Sequence, residues 1–280
     1  MKILVTGANG QLGTDVVRLF SAYGYDVIGC GRDDLDITNE NQCLQKIMSC
    51  QPEAIIHCAA YTAVDQAEAN PDEAYRVNAM GTRNIAIAAE QAGAKLCYIS
   101  TDYVFSGNDC EPYVEYDNTN PVNVYGKSKR AGEILVQTLA SQYFIVRTSW
   151  VFGSEGTNFV KMMLRLAQER EELKVVHDQW GSPTYTLDVA QFLGALIKTK
   201  RYGIYHASND GVCSWYEFAK EIFASANLDV NVVPCTTEQF PRPALRPKYS
   251  VLEPMAIRTN GFAPFRHWKE ALHDFLGTIG

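Results

Sequence analysis

The sequence lacks several features, and each absence narrows the choice of function. No stretch of its 280 residues approaches the run of roughly 18 apolar residues that a membrane-spanning helix needs. Positive charge is scarce: 25 Lys and Arg stand against 32 Asp and Glu, for a net charge of −7 and a sequence pI near 5.3. That balance argues against a nucleic-acid partner, while leaving room for a local basic pocket that takes a small phosphorylated ligand. There is no C-x-x-C and no histidine cluster. The eight cysteines, at 30, 43, 50, 58, 97, 110, 213 and 235, fit neither a disulfide framework nor a zinc site, so no metal ligands are assigned and a reducing, cytoplasmic setting is expected. Repeats and low-complexity tracts are also missing. The opening MKILVTGANG meets a glycine turn after four largely apolar residues and is not read as a signal peptide. What remains is an ordinary globule, 46% hydrophobic and 20% charged, long enough for one large domain or for a domain with a smaller lobe.

The first half alternates short apolar runs with helical patterns. Lys2 to Thr6 reads as a buried parallel strand that enters GANGQLG, residues 7–13, and then a helix to about Tyr23. Gly7, Gly10 and Gly13, with Asn9, Gln11 and Leu12 between them, place free backbone amides at a helix N-terminus, where a pyrophosphate can approach. Tyr25 to Cys30 is the second strand. It ends near Arg32 rather than an acidic residue, and an arginine there suits a 2′-phosphate, so NADPH is favoured over NADH; the alternative is a solvated loop arginine. Asp36 and Ile37 are candidates to flank an adenine, and Thr38 is expected to cap the next helix. After the strand Ala54 to His57, the small residues of CAAYTAVDQAE place Ala59, Ala60 and Tyr61 against a cofactor. A helix is expected over 72–91, with Asn78 inside it bridging backbone near the site.

Lys95 to Ser100 is a fourth strand leading into STDYVFSG, so Thr101, Asp102 and Tyr103 lie at the carboxyl end where open α/β sheets bind ligands. PVNVYGKSKRAGE, residues 121–133, then carries Tyr125 and Lys129 four apart, one helical turn from each other. A nearby ammonium favours a phenolate, so Lys129 is expected to lower the pKa of Tyr125 towards the working range. Taken alone, the pair reads as an ordinary surface Tyr and Lys, and it is the rest of the sequence that reverses this. Tyr143 to Thr148 is a further strand. Beyond Trp150 the rhythm changes: helices are expected over 158–171, 186–198, 214–226 and 267–275, the last ending against Gly277. Short strands are expected near 174–177, 202–207 and 230–233. The stripe Trp215, Phe218, Ala219, Ile222 and Phe223 reads as core. The four prolines of 240–254 forbid regular structure there, and Arg242, Arg246 and Lys248 make that segment the clearest basic patch.

The glycine turn, Ser100-Thr101-Asp102 and Tyr125-Lys129 together resemble the extended short-chain dehydrogenase/reductase family. CAAYTAVDQAE, STDYVFSG, YGKSKRAGE, RTSWVFG, NFV, DQWGSPT and the RPKYS segment are similar, in this order over nearly the whole chain, to its branch acting on dTDP-4-dehydro-L-rhamnose. The resemblance implies an α/β fold: a Rossmann-type doubly wound parallel sheet with a smaller, partly discontinuous α/β substrate-binding lobe. Residues 1–150 and 186–210 are assigned to the sheet domain, and 151–185 with 211–280 to the lobe. It implies that NADPH or NADH delivers a hydride to the C4 ketone of the dTDP-sugar while Tyr125 donates the proton. Lys129 would hold the nicotinamide ribose, and Thr101 would bond to the ketone oxygen. Trp150, Asn158, Arg246 and Ser250, beside Asp102 and Tyr103, would hold the substrate. Some relatives are dimers bridged by magnesium. Here Asp15 replaces a ligand Glu and the other ligands are not matched, so magnesium is compatible with the family but not expected as a structural ligand, and monomer and homodimer both stay open. Two alternatives are a nucleotide-sugar epimerase, which would copurify with NAD, and a regulatory subunit on the same scaffold, against which the intact Thr101, Tyr125 and Lys129 argue.

Overall fold

The computed structural model describes residues 1–279 and opens with β1 (Lys2–Thr6), whose Ile3, Leu4 and Val5 are fully buried. Helix α1 (Gln11–Ala22) follows the glycine turn and buries Leu12, Val16 and Phe20, spaced by four, against the sheet. Then come β2 (Asp26–Cys30), α2 (Glu40–Cys50), β3 (Ala54–His57), α3 (Val64–Ala69) and α4 (Pro71–Tyr75). A π-helical turn (Arg76–Gly81) joins α4 to α5 (Thr82–Ala92), after which β4 (Lys95–Thr101), α6 (Val124–Leu139) and β5 (Tyr143–Thr148) complete the first half. The single helix expected over 72–91 is therefore interrupted, and the interruption falls on Asn78. The cap of α2 is Asn39, which accepts from Gln42 N at 3.1 Å, and not Thr38, whose hydroxyl is taken by Asp36.

The second half contains β6 (Val151–Phe152), α7 (Phe159–Ala167), β7 (Glu172–Val176), β8 (Trp180–Gly181), β9 (Thr184–Tyr185), α8 (Thr186–Leu196) and β10 (Gly203–His206). It ends with β11 (Cys213–Ser214), α9 (Trp215–Ser225), β12 (Asn231–Cys235), α10 (Met255–Thr259) and α11 (Trp268–Ile279). Two expected helices change their limits. Helix α7 starts after Asn158 and stops at Ala167, and α11 runs through Gly277 instead of ending there. Ser214 forms a capping box with Glu217 that fixes the start of α9.

Six parallel strands form the main sheet in the order β10-β5-β4-β3-β1-β2. The chain steps from β1 out to β2 and returns on the other side as β3, so a crevice opens at the carboxyl ends of β1 and β3. Helices α1 and α8 cover one face and α2, α5 and α6 the other, each with its own core. Three two-stranded ribbons, α7, α9 and α11 enclose a third core around Phe152, Phe218, Ile222 and Phe275. The segment after the proline-rich loop departs from its assignment to the lobe. Ala256 and Ile257 of α10, with Phe262 and Phe265, join the core of the main sheet beside β10. No helix among the described residues is long and apolar enough to cross a membrane.

Candidate active site

The glycine turn is shaped by close approach. Gly7 sits at φ +65°, and a Cβ on Gly13 would lie 2.1 Å from Gly7 O, so α1 could not pack onto the turn with any larger residue there. Along this turn runs a cleft of about 770 Å³. Gly7, Asn9, Gly10, Gln11, Leu12 and Gly13 line it, joined by Arg32, Asp36 and Ile37 at one end and by Ala59, Ala60 and Tyr61 along the side. Thr101, Asp102, Tyr103, Tyr125, Lys129 and Trp150 line the other end. Four expected site residues are absent from this wall: Asn78, Asn158, Arg246 and Ser250.

Asn78 acts from behind. It is fully buried; its Oδ1 accepts from Tyr61 N at 2.7 Å, and its Nδ2 donates to Tyr61 O at 3.1 Å and Ser128 Oγ at 2.9 Å. One amide thus ties the Ala59–Tyr61 loop to α6. Behind it runs a buried chain of hydrogen bonds. Ala59 N donates to Thr6 Oγ1 (3.3 Å), and Thr6 Oγ1 lies 2.7 Å from His57 Nδ1. His57 Nε2 lies 3.1 Å from Thr82 Oγ1, which donates to Asn78 O at 2.7 Å. Because the Thr82 proton is committed to Asn78 O, His57 Nε2 carries the hydrogen and Nδ1 accepts from Thr6.

At the reaction end, Asn123 caps α6 by accepting from Gly126 N at 2.8 Å, which places Tyr125 and Lys129 in the first turns. Gly126 is required there, since a Cβ would lie 2.1 Å from Tyr103 O. The Thr101 hydroxyl donates to Asp102 Oδ1 at 2.9 Å and accepts from Tyr103 N. Lys129 is 2% exposed; its Nζ donates to Ile99 O at 2.7 Å and lies 4.1 Å from the centre of the Tyr98 ring. This geometry corrects one expectation. Burial pushes the Tyr125 phenol up to about 12, opposed by the nearby Thr101 hydroxyl, and Lys129 is engaged with β4 instead of lowering it. Burial likewise depresses Lys129 to about 7, with Glu133 one turn further along α6 working the other way. Asp102 is raised to about 6 by burial, and its Oδ2 has no hydrogen-bond partner.

The substrate-side candidates are distributed differently from expectation. Asn158 is consumed as a cap: its Oδ1 accepts from Lys161 N at 3.0 Å, and its Nδ2 donates to Gln11 Oε1 at 3.0 Å and Gly153 O at 2.9 Å. Ser250 is buried next to Asp102, and its N donates to Trp180 O at 2.9 Å. Arg246 lies close to Tyr103 and pairs with Asp65. Trp150 stands on the wall at φ +46°, a backbone region costly for a bulky residue, and its ring stacks on Trp215 at 3.6 Å and 7°. Trp215, read from the sequence as core, thus faces the cleft, while Phe218, Ala219, Ile222 and Phe223 of the same stripe are buried. Its position as the first residue of α9, directly after the N-cap Ser214, is the signal that separates it from the stripe. Arg76, also missed, lines the cofactor end, held by Glu73 (2.7 Å) and Thr38 Oγ1 (2.8 Å). Asp15 accepts a hydrogen bond from Thr186 Oγ1, and no group of three His, Cys, Asp or Glu among the described residues is placed to hold a metal ion.

A parallel sheet with its crevice at the β1–β3 switch, carrying Thr101, Tyr125 and Lys129 at one end, defines an extended short-chain dehydrogenase/reductase. Comparison with known proteins narrows this. The chain belongs to the dTDP-4-dehydrorhamnose reductase family: a family model described as the RmlD substrate binding domain matches residues 1–279. A dTDP-4-dehydrorhamnose reductase from Bacillus anthracis strain Ames, solved in complex with NADP, is 51% identical over 99% of both chains, with a TM-score of 0.97. A counterpart from Clostridium acetobutylicum is 47% identical, covering 100% of this chain and 99% of its own, with a TM-score of 0.98. The spore coat polysaccharide biosynthesis protein SpsK of Bacillus subtilis is 44% identical, over 98% of this chain and 96% of its own.

Proposed function

We propose that this chain reduces the C4 ketone of dTDP-4-dehydro-L-rhamnose to the alcohol, forming dTDP-L-rhamnose at the expense of NAD(P)H. The observation that carries the reading is the meeting of Thr101, Tyr125 and Lys129 at one end of a cleft whose other end is the glycine turn. The glycine turn fits a dinucleotide: Gly7 and Gly13 leave the amides of α1 open to a pyrophosphate, and Ala59 to Tyr61 are small or flat beside it. When bound, the reduced nicotinamide supplies the hydride.

The chain's own residues supply the proton and the electrostatics. A phenol raised to about 12 is protonated throughout the neutral range, so Tyr125 Oη arrives as a donor and gives its proton only as alkoxide charge builds on the ketone oxygen. The Thr101 hydroxyl, by swinging from Asp102 to that oxygen, adds a second hydrogen bond that is strongest in the transition state. Lys129, anchored on Ile99 O and depressed to about 7 by burial, is assigned to the nicotinamide ribose hydroxyls. Arg32, exposed at the adenosine end, supports a preference for NADPH over NADH through a charge-assisted contact with the 2′-phosphate. Arg246, in the basic segment near Tyr103, is assigned to the diphosphate of the sugar nucleotide, and the reaction is placed in the cytoplasm with its dTDP-sugar and NAD(P)H supply.

Purified protein is to be mixed with NADPH or NADH and dTDP-4-dehydro-L-rhamnose, and the sugar product identified. Stoichiometric NAD(P)H oxidation with dTDP-L-rhamnose as product is expected. Turnover without added NAD(P)H by cofactor carried through purification would point to an epimerase instead.

A further inference from the structure

The CAAYTAVDQAE segment lends Ala59, Ala60 and Tyr61 to the cleft, but Asp65 and Glu68 take no part in the chemistry described so far. They stand three apart on α3 and so share one face of the helix. Each is bound to a different segment of the chain. Asp65 Oδ1 accepts from Arg246 Nη1 at 2.6 Å and from Ala244 N at 3.2 Å, and Nη1 also donates to Ala244 O at 2.8 Å. Glu68 Oε1 accepts from Val124 N at 2.8 Å, at the residue that opens α6 and precedes Tyr125. The circuit is closed by Asn123, whose Nδ2 donates to Leu245 O at 2.8 Å while its Oδ1 caps α6. One turn of α3 therefore holds both the proline-rich loop and the start of the catalytic helix.

The manner of holding matters. Only Nη1 of Arg246 is committed within the described residues, so its Nε and Nη2 donors stay available to a ligand. The pair is partly buried, with Arg246 17% and Asp65 31% exposed, and the arginine holds the Asp65 carboxyl below its usual range. A guanidinium anchored by one nitrogen and open at the others is preorganised for phosphate oxygens, and most of the ordering cost of a long side chain is met before the ligand arrives.

We infer that Asp65 is a positioning residue that presents Arg246 to the diphosphate of the sugar nucleotide, while Glu68 fixes the start of the Tyr125 helix relative to it. Helix α3 is thereby a brace that sets the distance between the gripped end of the substrate and the proton donor. The inference rests on the reading of Arg246 given above. The opposite role, in which Asp65 sequesters Arg246 from the ligand, predicts effects of opposite sign.

Calorimetric titrations with dTDP and separately with NADPH, on wild type, D65A, R246A and the double variant, decide the matter, with thermal unfolding as a folding check. D65A is expected to weaken dTDP about 10-fold and to leave NADPH affinity unchanged. D65N, which keeps the oxygen acceptor, should recover part of the loss. Because Asp65 acts through Arg246, D65A should add nothing in the R246A background. E68A should lower turnover about 10-fold with dTDP affinity intact, as expected when only the proton donor is displaced. Unchanged or tighter dTDP binding by D65A, or full additivity with R246A, overturns the role of Asp65. Normal turnover by E68A overturns that of Glu68. If R246A itself binds dTDP normally, the diphosphate assignment falls and the inference with it; a weakened R246A beside a normal D65A removes the inference alone.

Discussion

The two walls that meet at Tyr125 are held in different ways. On the sheet side, fixation is deep and interlocked. Glu133 is fully buried, takes Arg147 through two bonds of 2.8 and 2.9 Å, and also accepts from Ser100 Oγ at 2.6 Å. On the lobe side, several ties are only partly buried: Arg246 to Asp65, Asn158 to Gln11, Asn123 to Leu245, and a strained Trp150 resting on Trp215. On the proposed function, the proton donor belongs to the more deeply braced half, whereas the half assigned to the substrate is attached by ties more open to solvent. Damage on the sheet side should appear as lost stability, and damage on the lobe side as lost affinity.

The largest expected effect is on the sheet side. Glu133→Ala leaves the 2%-exposed Arg147 guanidinium without its partner and should cost about 3–5 kcal/mol in urea unfolding. A cost below about 1 kcal/mol would mean that the rigid half is no better braced than the lobe. Next comes the junction itself. Tyr125→Phe removes the proton donor but keeps the ring, and should lower turnover by roughly 100-fold or more while NADPH binding and melting temperature hold. Near-normal turnover would remove the phenol from the chemistry.

A third test concerns pH. Burial, assisted by the Lys129 charge, lowers His57 to about 3. Its reference value is about 6.5, so below that pH the unfolded chain takes up a proton that the folded protein refuses, and stability falls as pH drops. From pH 7 to pH 5, wild type should lose about 2 kcal/mol more than His57→Asn. Asp102, whose raised pKa favours the folded state in acid, is common to both proteins and cancels in the difference. Equal losses would show that His57 takes up its proton in the folded protein. The smallest effect is expected at the exposed Arg32. Arg32→Ala should weaken NADPH about 10-fold and leave NADH nearly unchanged; equal effects would return Arg32 to the solvated-loop reading.

Local signals served the rigid half well. The glycine turn, the strand ends and the one-turn spacing of Tyr125 and Lys129 each follow from a few consecutive residues, and the structure gathers them on one cleft. What could not be read depends on partners distant in the chain. Arg246 was picked out by its basic surroundings, but nothing near it announces Asp65, 181 residues away. The π turn at Asn78 coincides with two hydrogen bonds between its side chain and Tyr61, a partner 17 residues away. Thr38 and Asn39 are both good caps, and the choice between them was made by Asp36. The depressed pKa expected for Tyr125 failed because spacing along a helix shows that two side chains are neighbours, not where each points: Lys129 turns to Ile99 O.

The placement of β10 has a consequence for biosynthesis. It completes the sheet by pairing with β5, yet everything from Ser149 to Tyr202 must be translated between the two strands. As the chain leaves the ribosome, β5 therefore presents an open edge while β6 to β9 are already emerging. Helix α10, which packs beside β10, arrives later still. The sheet cannot finish folding before the lobe has begun, and a nascent chain stalled before residue 203 would carry an unpaired, apolar strand edge. Demand on chaperones should peak in that window and fall once Gly203–His206 has docked.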